Sequence, residues 1–201
     1  MSVKENIKTS KILRILTSTD ISGLLQVLLF AFLTVAAAQF TIPVKPVPFT
    51  FQTTMVILSG AFLGARKGAY SQFLYLMLGC LGLPVFALVP DNSIGIARLF
   101  GPTGGYLLAF PLGAMASGYL AGKIKVSNSL LKYAGVFLSL LAGEVLIIGI
   151  GAMYLGAVYL KNIEEAFISG AAVFFVWTIA KAVIGTGLFF GVNKGVEKFK
   201  R

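Results

Sequence analysis

Long apolar segments alternate with short polar connections along almost the whole chain beyond residue 20. An α-helix needs about 20 apolar residues to cross a hydrocarbon core about 30 Å thick, and most of these segments reach that length. The second segment has only 16 residues, so we expect it to extend into a flank or to be sheltered by its neighbours. The pattern predicts an all-α membrane protein with a single domain over residues 1–201 and six transmembrane helices, at 21–42, 49–64, 68–89, 101–122, 133–160 and 166–192.

The composition places the chain in the same class. Hydrophobic residues make up 57% of the sequence and charged residues 12%, and the mean hydropathy is +0.90. That leaves too little polar surface to cover a soluble domain of this size. The first 20 residues carry four basic side chains among polar ones, and the apolar run that follows is long enough to remain as a span. We therefore expect an integral membrane protein without a removable signal peptide.

The positive charges predict the orientation in the membrane. Most lysines and arginines lie in the two terminal tails, in the turn at 65–67 and in the loop at 123–132, whereas the alternate connections carry only Lys45, Arg98 and Lys161. Basic residues are enriched on the cytoplasmic side of membrane proteins, so both termini are predicted to be cytoplasmic. The net charge of +10 is then explained by attraction to anionic lipid headgroups, which we favour over nucleic-acid binding.

Two charged residues, Glu144 and Lys181, lie inside apolar segments, where a charge is costly without a partner, a ligand or water. Glu144 is 12 residues beyond Lys132, and Lys181 is 13 residues before Lys194. At about 1.5 Å per helical residue, both stand roughly 18–20 Å from the same basic boundary, near the middle of the membrane. We expect the two side chains to pair if their helices are antiparallel neighbours, and to mark a functional site.

Two connections on the predicted outer side are unusually apolar or rich in glycine. The loop at 43–53 contains three prolines, and Thr50 is placed to cap the helix that follows. The second loop ends in the run Gly-Pro-Thr-Gly-Gly at 101–105, where free backbone N–H groups at a helix N-terminus would suit a carboxylate. A tight turn with close helix packing explains the same run equally well.

Small residues line one face of the first helix, at Ala31, Val35 and Ala38. Such residues let helix backbones approach closely in lipid, where no hydrophobic drive holds helices together. The face therefore fits either packing within the protein or docking of another membrane subunit.

The sequence lacks the catalytic residue types that most enzyme classes use. It has no histidine, one cysteine, Cys80, and no pair of carboxylates at a fixed helical spacing, so the usual metal sites and nucleophile–base pairs are missing. No phosphate-binding Gly-x-x-x-x-Gly-Lys-Ser/Thr motif occurs either. We expect neither an enzyme nor a cofactor or metal site, and any uphill transport has to be driven by a partner or an ion gradient.

Four motifs in order resemble one transporter family: PVPFTFQT at 46–53, GARKGAYSQ at 64–72, LGLPVF at 81–86 and GPTGGY at 101–106. They resemble the BioY family, the biotin-binding S-components of energy-coupling factor (ECF) transporters. The resemblance implies the six-helix S-component fold, capture of biotin on the outer side of the cell membrane, and a partner module of one membrane scaffold subunit and two cytoplasmic ATPases. It also implies that the subunit reorients in the membrane to release the vitamin. Alternatives are a related biotin-like vitamin or precursor as ligand, and a lone facilitator or ion-coupled carrier.

The chain departs from the family pattern in the last helix. Family members usually carry Asp-x-x-Lys there, with both side chains reaching the vitamin, but this sequence has Thr178 in place of the aspartate and keeps Lys181. The Thr178 hydroxyl is one turn from Lys181 on the same face and can accept a hydrogen bond, though without charge assistance. Glu144 on the neighbouring helix could supply the missing carboxylate.

Biotin combines a carboxylate chain, an apolar thioether ring, and a ureido group with two donors and one acceptor, so its site needs polar groups on an apolar wall. Candidate partners for the carboxylate are Lys181, Arg98 and the 101–105 turn. Candidate partners for the ureido group are Asn92, which the resemblance places in a ligand-contacting loop, Gln52, Thr178 and Glu144. Candidate wall residues are Phe49, Phe86, Tyr106 and Trp177. For Gln52 a helix cap or an inter-helix hydrogen bond is the alternative, and for Trp177 it is core packing.

Overall fold

A computed structural model describes residues 20–88 and 93–199, and the side chains of all these except residues 20 and 199. The fold is mainly helical. Its α-helices are α1 Asp20–Gln39, α2 Gln52–Leu63, α3 Ala65–Cys80, α4 Gly104–Gly122, α5 Ser129–Tyr154, α6 Ile163–Gly170 and α7 Phe175–Phe199. Shorter elements are the antiparallel strands β1 Thr41–Ile42 and β2 Phe49–Thr50, the 3-10 helices Gly95–Phe100 and Ala172–Phe174, and a π-helical turn Leu155–Leu160.

Each predicted apolar segment contains a helix, but several boundaries differ. The third segment was expected to reach residue 89, whereas α3 ends at Cys80. The fifth helix begins earlier than residue 133, because the Asn128 side chain caps α5 by accepting a hydrogen bond from the backbone N–H of Leu131 at 3.2 Å. The last segment is not one helix, since a break at 171–174 separates α6 from α7.

Three helical stretches of the described residues are long and apolar enough to cross a membrane, namely Ile21–Gln39, Ser129–Leu160 and Ile163–Lys198. The short second segment forms a helix of only 12 residues, α2. At about 1.5 Å per residue this helix is roughly 18 Å long, which is less than the hydrocarbon thickness. The strand β2 and the loop before it precede this helix.

Helices α2, α4 and α5 form a closely packed centre. Helix α4 packs against α2, α3 and α5, while α1 covers α2 and α3, and α7 lies on α5 and α2. Glycines permit the approach. A Cβ atom added at Gly118 of α4 would lie 2.6 Å from both the Gly60 oxygen and the Ala65 nitrogen, and one added at Gly143 would lie 2.8 Å from the Gly113 oxygen. Backbone therefore rests directly on backbone at both contacts.

The small face of α1 packs inside the protein. Ala31 and Ala38 are buried, Ala31 belongs to the hydrophobic core, and Val35 packs against that core. The exposed side of α1 instead carries large apolar residues such as Leu28 and Phe32. Of the two interpretations of this face, the structure supports internal packing, and the idea that Ala31, Val35 and Ala38 dock another subunit is wrong. The cause is that α1 has to approach α2 and α3 closely.

A buried polar cluster joins α1, α2 and α3. The Gln72 amide nitrogen lies 3.3 Å from the Thr34 hydroxyl, 3.2 Å from that of Ser59 and 3.0 Å from that of Ser71, and all four residues are fully buried. Each of the three hydroxyls is also within hydrogen-bond distance of a backbone carbonyl of its own helix. In lipid there is no hydrophobic driving force between helices, so these interhelical hydrogen bonds contribute to their association.

Replacement of Gly118 by alanine should lower the stability of the protein. The added methyl group would meet backbone atoms of Gly60 and Ala65, and overpacking against atoms that cannot rotate away costs about 1–3 kcal/mol. Gly122→Ala is the matched control, because Gly122 also lies in α4 but an added Cβ meets nothing within 4 Å. We expect the thermal midpoint of the purified protein in detergent to fall by several degrees for Gly118→Ala alone. Equal midpoints for the two variants would contradict the close α2–α4 contact.

Candidate functional site

A mainly apolar cavity lies among α2, α4, α5, α7 and the loops that precede α2 and α4. Its apolar wall consists of Val47, Pro48, Phe86, Ala87, Tyr106, Leu107, Phe110, Ile148 and Phe174. Its polar residues are Thr50, Gln52, Thr53, Arg98, Thr103, Glu144 and Lys181. A few polar groups set in an apolar wall are typical of small-molecule sites.

The two intramembrane charges form an ion pair in this wall. The ammonium nitrogen of Lys181 on α7 lies 3.2 Å from Oε1 of Glu144 on α5. Glu144 is fully buried and Lys181 is 5% exposed. The pairing predicted from their depths is confirmed, and it follows from the antiparallel contact between α5 and α7. Each charge thereby compensates part of the other's desolvation cost.

Thr53, near the start of α2, completes the pair as a triad. Its hydroxyl donates to Glu144 Oε1 at 2.6 Å and accepts from the Lys181 ammonium at 2.8 Å. One carboxylate oxygen is therefore shared between two donors, and three helices meet at this point. Thr53 could not be distinguished from its neighbour Thr54 beforehand, because both follow Gln52 in one polar run at the start of an apolar helix.

The second carboxylate oxygen of Glu144, Oε2, takes no part in this triad. Oε2 is buried and has no hydrogen-bond partner among the residues that the structure describes. A buried ionised oxygen without a donor is costly, usually by about 1–3 kcal/mol or more. Because Glu144 lines the cavity, a ligand with an N–H or O–H group could supply the donor.

Gln52 is the first residue of α2, but its side chain does not cap that helix. Its amide nitrogen donates instead to the hydroxyl of Tyr75 on α3, and Tyr75 donates to the carbonyl of Val85 at 3.1 Å. The inter-helix alternative for Gln52 is therefore confirmed, and Gln52 lines the cavity as well. The capping role expected of Thr50 is not found, because the N-cap residue of α2 is Phe51 and no side chain caps the helix. The Thr50 hydroxyl only accepts a hydrogen bond from the backbone N–H of Gln52, at 3.3 Å.

Arg98 also lines the cavity, from the 3-10 helix Gly95–Phe100. It is 4% exposed. Its guanidinium donates to the carbonyl of Ala87 and to that of Ser93, the latter at 3.4 Å. Arg98 therefore places a positive charge at the cavity and at the same time holds the loop after α3 in position.

The glycine run at 101–105 is explained by packing. The Gly104 N–H donates to the Gly101 carbonyl at 3.0 Å, which closes a tight turn. A side chain at Gly104 would collide with the backbone of Leu99, and one at Gly105 with Tyr154. The structure thus supports the packing alternative, although Thr103, the residue before α4, does line the cavity.

Three predicted site residues lie elsewhere among the described residues. Thr178 is buried but is not part of the cavity wall, which on α7 is formed by Lys181 and, just before that helix, by Phe174. Trp177 is half-buried and packs on Phe49 with ring centroids 5.8 Å apart, so its core-packing alternative holds. Phe49 also lies behind the wall, against Phe174 at 4.5 Å. Asn92 falls in the stretch 89–92, outside the described residues.

The fold and the site together define a small helical protein with long apolar helices and a cavity lined by both polar and apolar groups. Its fold is similar to the crystal structure of the S-component for biotin from an ECF-type ABC transporter, with a TM-score of 0.73 and 22% sequence identity over 96% of this chain and 95% of that one. The sequence matches the BioY family over residues 8–198, and the chain belongs to that family.

Named relatives agree with this membership. The chain is 41% identical over 166 residues to the biotin transporter BioY of Thermotoga maritima, a match that covers 83% of this chain and 92% of the relative. It is 40% identical over 156 residues to a probable biotin transporter BioY of Pyrococcus horikoshii, covering 78% and 86% respectively.

Removing one member of the ion pair should destabilise the protein more than removing both. A buried charge without its partner typically costs about 3–5 kcal/mol, whereas the double replacement leaves no charge behind. We expect Lys181→Met and Glu144→Gln each to lower the thermal midpoint in detergent, and the double variant to lose clearly less than the sum. Fluorescence of Trp177, the single tryptophan, reports the transition.

Lys132→Met is the control for this cycle, since Lys132 is exposed and should tolerate the change. Strictly additive losses in the double variant would mean that Glu144 and Lys181 do not interact.

Proposed function

We propose that this protein is the high-affinity biotin-binding subunit of a vitamin uptake transporter, which captures biotin on the outer side of the membrane. Membership of the BioY family supports the proposal, as do the relatives named biotin transporters. The observation that carries it is the buried Glu144–Lys181 pair, which leaves one Glu144 oxygen without a partner among the described residues, in the wall of an apolar cavity.

The chemistry of biotin fits these groups. In the proposed complex Glu144 Oε2 accepts a hydrogen bond from a ureido N–H, and this bond supplies the missing donor. Lys181 offsets part of the cost of burying the Glu144 carboxylate and can donate its remaining hydrogen to the ligand. Phe86, Tyr106 and Phe110 supply the apolar wall against which the thioether ring packs.

The biotin carboxylate needs a cation or free N–H groups. Arg98 is the cavity cation besides Lys181 within the described residues, and we assign the carboxylate to it. A guanidinium carries five donors in a planar fork, and this geometry matches a carboxylate. Asn92 remains a proposed ligand contact from the same loop.

Glu144 takes the place of the carboxylate that the family motif carries at the position of Thr178. In this proposal the acidic group lies on α5 in this chain and not on α7 as in the family motif, whereas the lysine has the same position in both. Thr178 lies one turn before Lys181 and is buried behind the cavity, so we assign it a packing role and no direct contact with the vitamin.

We further propose that the single domain crosses the membrane six times, with both termini in the cytoplasm. The distribution of lysine and arginine supports this orientation. Helix α2 and its ordered flank form the shortest crossing. The cavity then opens toward the outer side, because the loops at 43–51 and 81–103 border it.

Uphill transport requires an energy source outside this chain, because the sequence has no phosphate-binding loop motif. We propose that a transmembrane scaffold subunit and a pair of cytoplasmic ATPases supply it, as in ECF transporters. A lone facilitator or an ion-coupled carrier is the alternative, and a related biotin-like vitamin is the alternative ligand.

Isothermal titration should show that the purified wild-type protein binds biotin tightly and that the Lys181→Ala variant binds biotin more weakly. Loss of Lys181 leaves the Glu144 carboxylate without its partner, and the usual cost of about 1–3 kcal/mol corresponds to roughly tenfold or more in affinity. Lys132→Ala, at an exposed site, is the control. Tighter binding of lipoate than of biotin would show that biotin is not the ligand. Unchanged biotin affinity in Lys181→Ala would show that Lys181 does not contribute to the site.

A tagged chain should co-purify with a scaffold subunit and ATPases from its own cells, and uptake should stop when the ATPases are inactivated.

In a Cys80→Ser background, Lys45→Cys should react with an impermeant thiol reagent on whole cells, whereas Ser127→Cys should react only after permeabilisation. Both positions are exposed in the structure. Uptake by the chain alone would favour the carrier alternative, and reaction of Ser127→Cys on whole cells would contradict the orientation.

A further inference from the structure

Tyr75 of α3 is fully buried and has no part in the binding scheme described above. Its ring packs edge-on against Phe86 at 5.4 Å and stacks near Phe110 at 6.1 Å. Both phenylalanines line the cavity, so Tyr75 lies directly behind the wall. Its hydroxyl makes two hydrogen bonds, one with the Gln52 amide and one with the carbonyl of Val85.

The direction of these two bonds follows from the chemistry of the groups. A backbone carbonyl can only accept, so the single hydrogen of the Tyr75 hydroxyl points to Val85 O, 3.1 Å away. Only lone pairs then remain on the hydroxyl oxygen for Gln52. The amide of Gln52 has to present an N–H to Tyr75, because its oxygen would meet another oxygen without a hydrogen between them.

We propose that Tyr75 is a positioning residue that fixes the orientation of the Gln52 amide, so that Gln52 presents its oxygen to the cavity as an acceptor for a ureido N–H of the ligand. This inference rests on the proposed biotin-binding function and deepens it. Gln52 is itself a cavity-lining residue with 4% exposure. A glutamine without such a neighbour could turn its amide over and offer a donor instead.

Gln52 Oε1 then joins Glu144 Oε2 as an acceptor for the ligand, one an amide oxygen and the other a carboxylate oxygen. A cyclic urea has two N–H donors, and one acceptor for each would satisfy both. The ligand class that fits is therefore a ureido-ring compound with both nitrogens unsubstituted, such as biotin or dethiobiotin. Lipoate offers no N–H donor and would leave both acceptors unsatisfied, which is costly in a buried site.

A purely structural role for Tyr75 predicts something different. In that case its hydroxyl ties the loop after α3 to the bundle through Val85, and its loss would affect binding whether or not Gln52 is present. A double-mutant cycle between Tyr75 and Gln52 separates the two roles, because only a positioning role makes the effect of Tyr75 depend on the Gln52 amide.

The test compares biotin titrations of the wild type, Tyr75→Phe, Gln52→Met and the double variant. We expect affinity to fall about tenfold for Gln52→Met and about three- to tenfold for Tyr75→Phe. The double variant should bind no more weakly than Gln52→Met alone. Tyr70→Phe, at a site in α3 that is 60% exposed, is the matched control and should bind like the wild type.

Independent, multiplicative losses in the double variant would overturn the inference, and so would wild-type affinity in Tyr75→Phe. If the wild type does not bind biotin at all, the proposed function fails, and this inference fails with it. Biotin binding with an additive cycle overturns this inference alone. The two failures are thus distinguishable.

A second measurement does not depend on Tyr75→Phe being stable. Biotin methylated at one or the other ureido nitrogen lacks one donor, and both compounds should bind the wild type more weakly than biotin. For one of them the extra loss should disappear in Gln52→Met, since the acceptor for that N–H is gone. The same loss in the wild type and in Gln52→Met for both compounds would show that Gln52 accepts from neither nitrogen.

Discussion

The ion pair between Glu144 and Lys181 is the interaction on which the arrangement of the site depends. Each group on its own would be a charge in a low-dielectric interior, and only the other charge, with the Thr53 hydroxyl, makes that position tolerable. The pair also links α5 to α7, and Thr53 adds α2. These three helices enclose one side of the cavity, so the stability of the bundle and the polarity of the site arise from the same contact.

This arrangement resembles a partly satisfied hydrogen-bond network. Glu144 Oε1 has two donors and Oε2 has none among the described residues. A fully satisfied network would gain little from a ligand, whereas a carboxylate with one free oxygen has stabilisation to gain when a donor arrives. Hydrogen bonds to a charged acceptor are about twice as strong as neutral ones. The unequal use of the two oxygens therefore favours a ligand that donates at one point over a purely apolar one.

The sequence predicted most of the helices and one half of the site. The meeting of Glu144 with Lys181 could be predicted because helical rise is constant, so counting residues from a basic boundary measures depth. Rotation about the helix axis could not be predicted in the same way. The first part of the last helix is largely apolar, and nothing in its pattern showed that Lys181 faces the cavity while Thr178 does not. The break at 171–174 was missed for a similar reason, because Gly170 and Ala171 do not interrupt the hydropathy. Tyr75 was missed because its role runs through Gln52 and needs three-dimensional contacts to be seen.

The glycine contacts within the bundle have a consequence for motion. Where backbone meets backbone, at Gly118 on Gly60 and at Gly143 on Gly113, there are no rotamers through which the contact could adapt. We therefore expect helices α2, α4 and α5 to move as one unit, together with Thr53 and Glu144. We expect any opening of the cavity to displace α7 or the loops that precede α2 and α4. Displacing α7 would stretch the ion pair between Lys181 and Glu144, so the contact that stabilises the bundle also resists its opening.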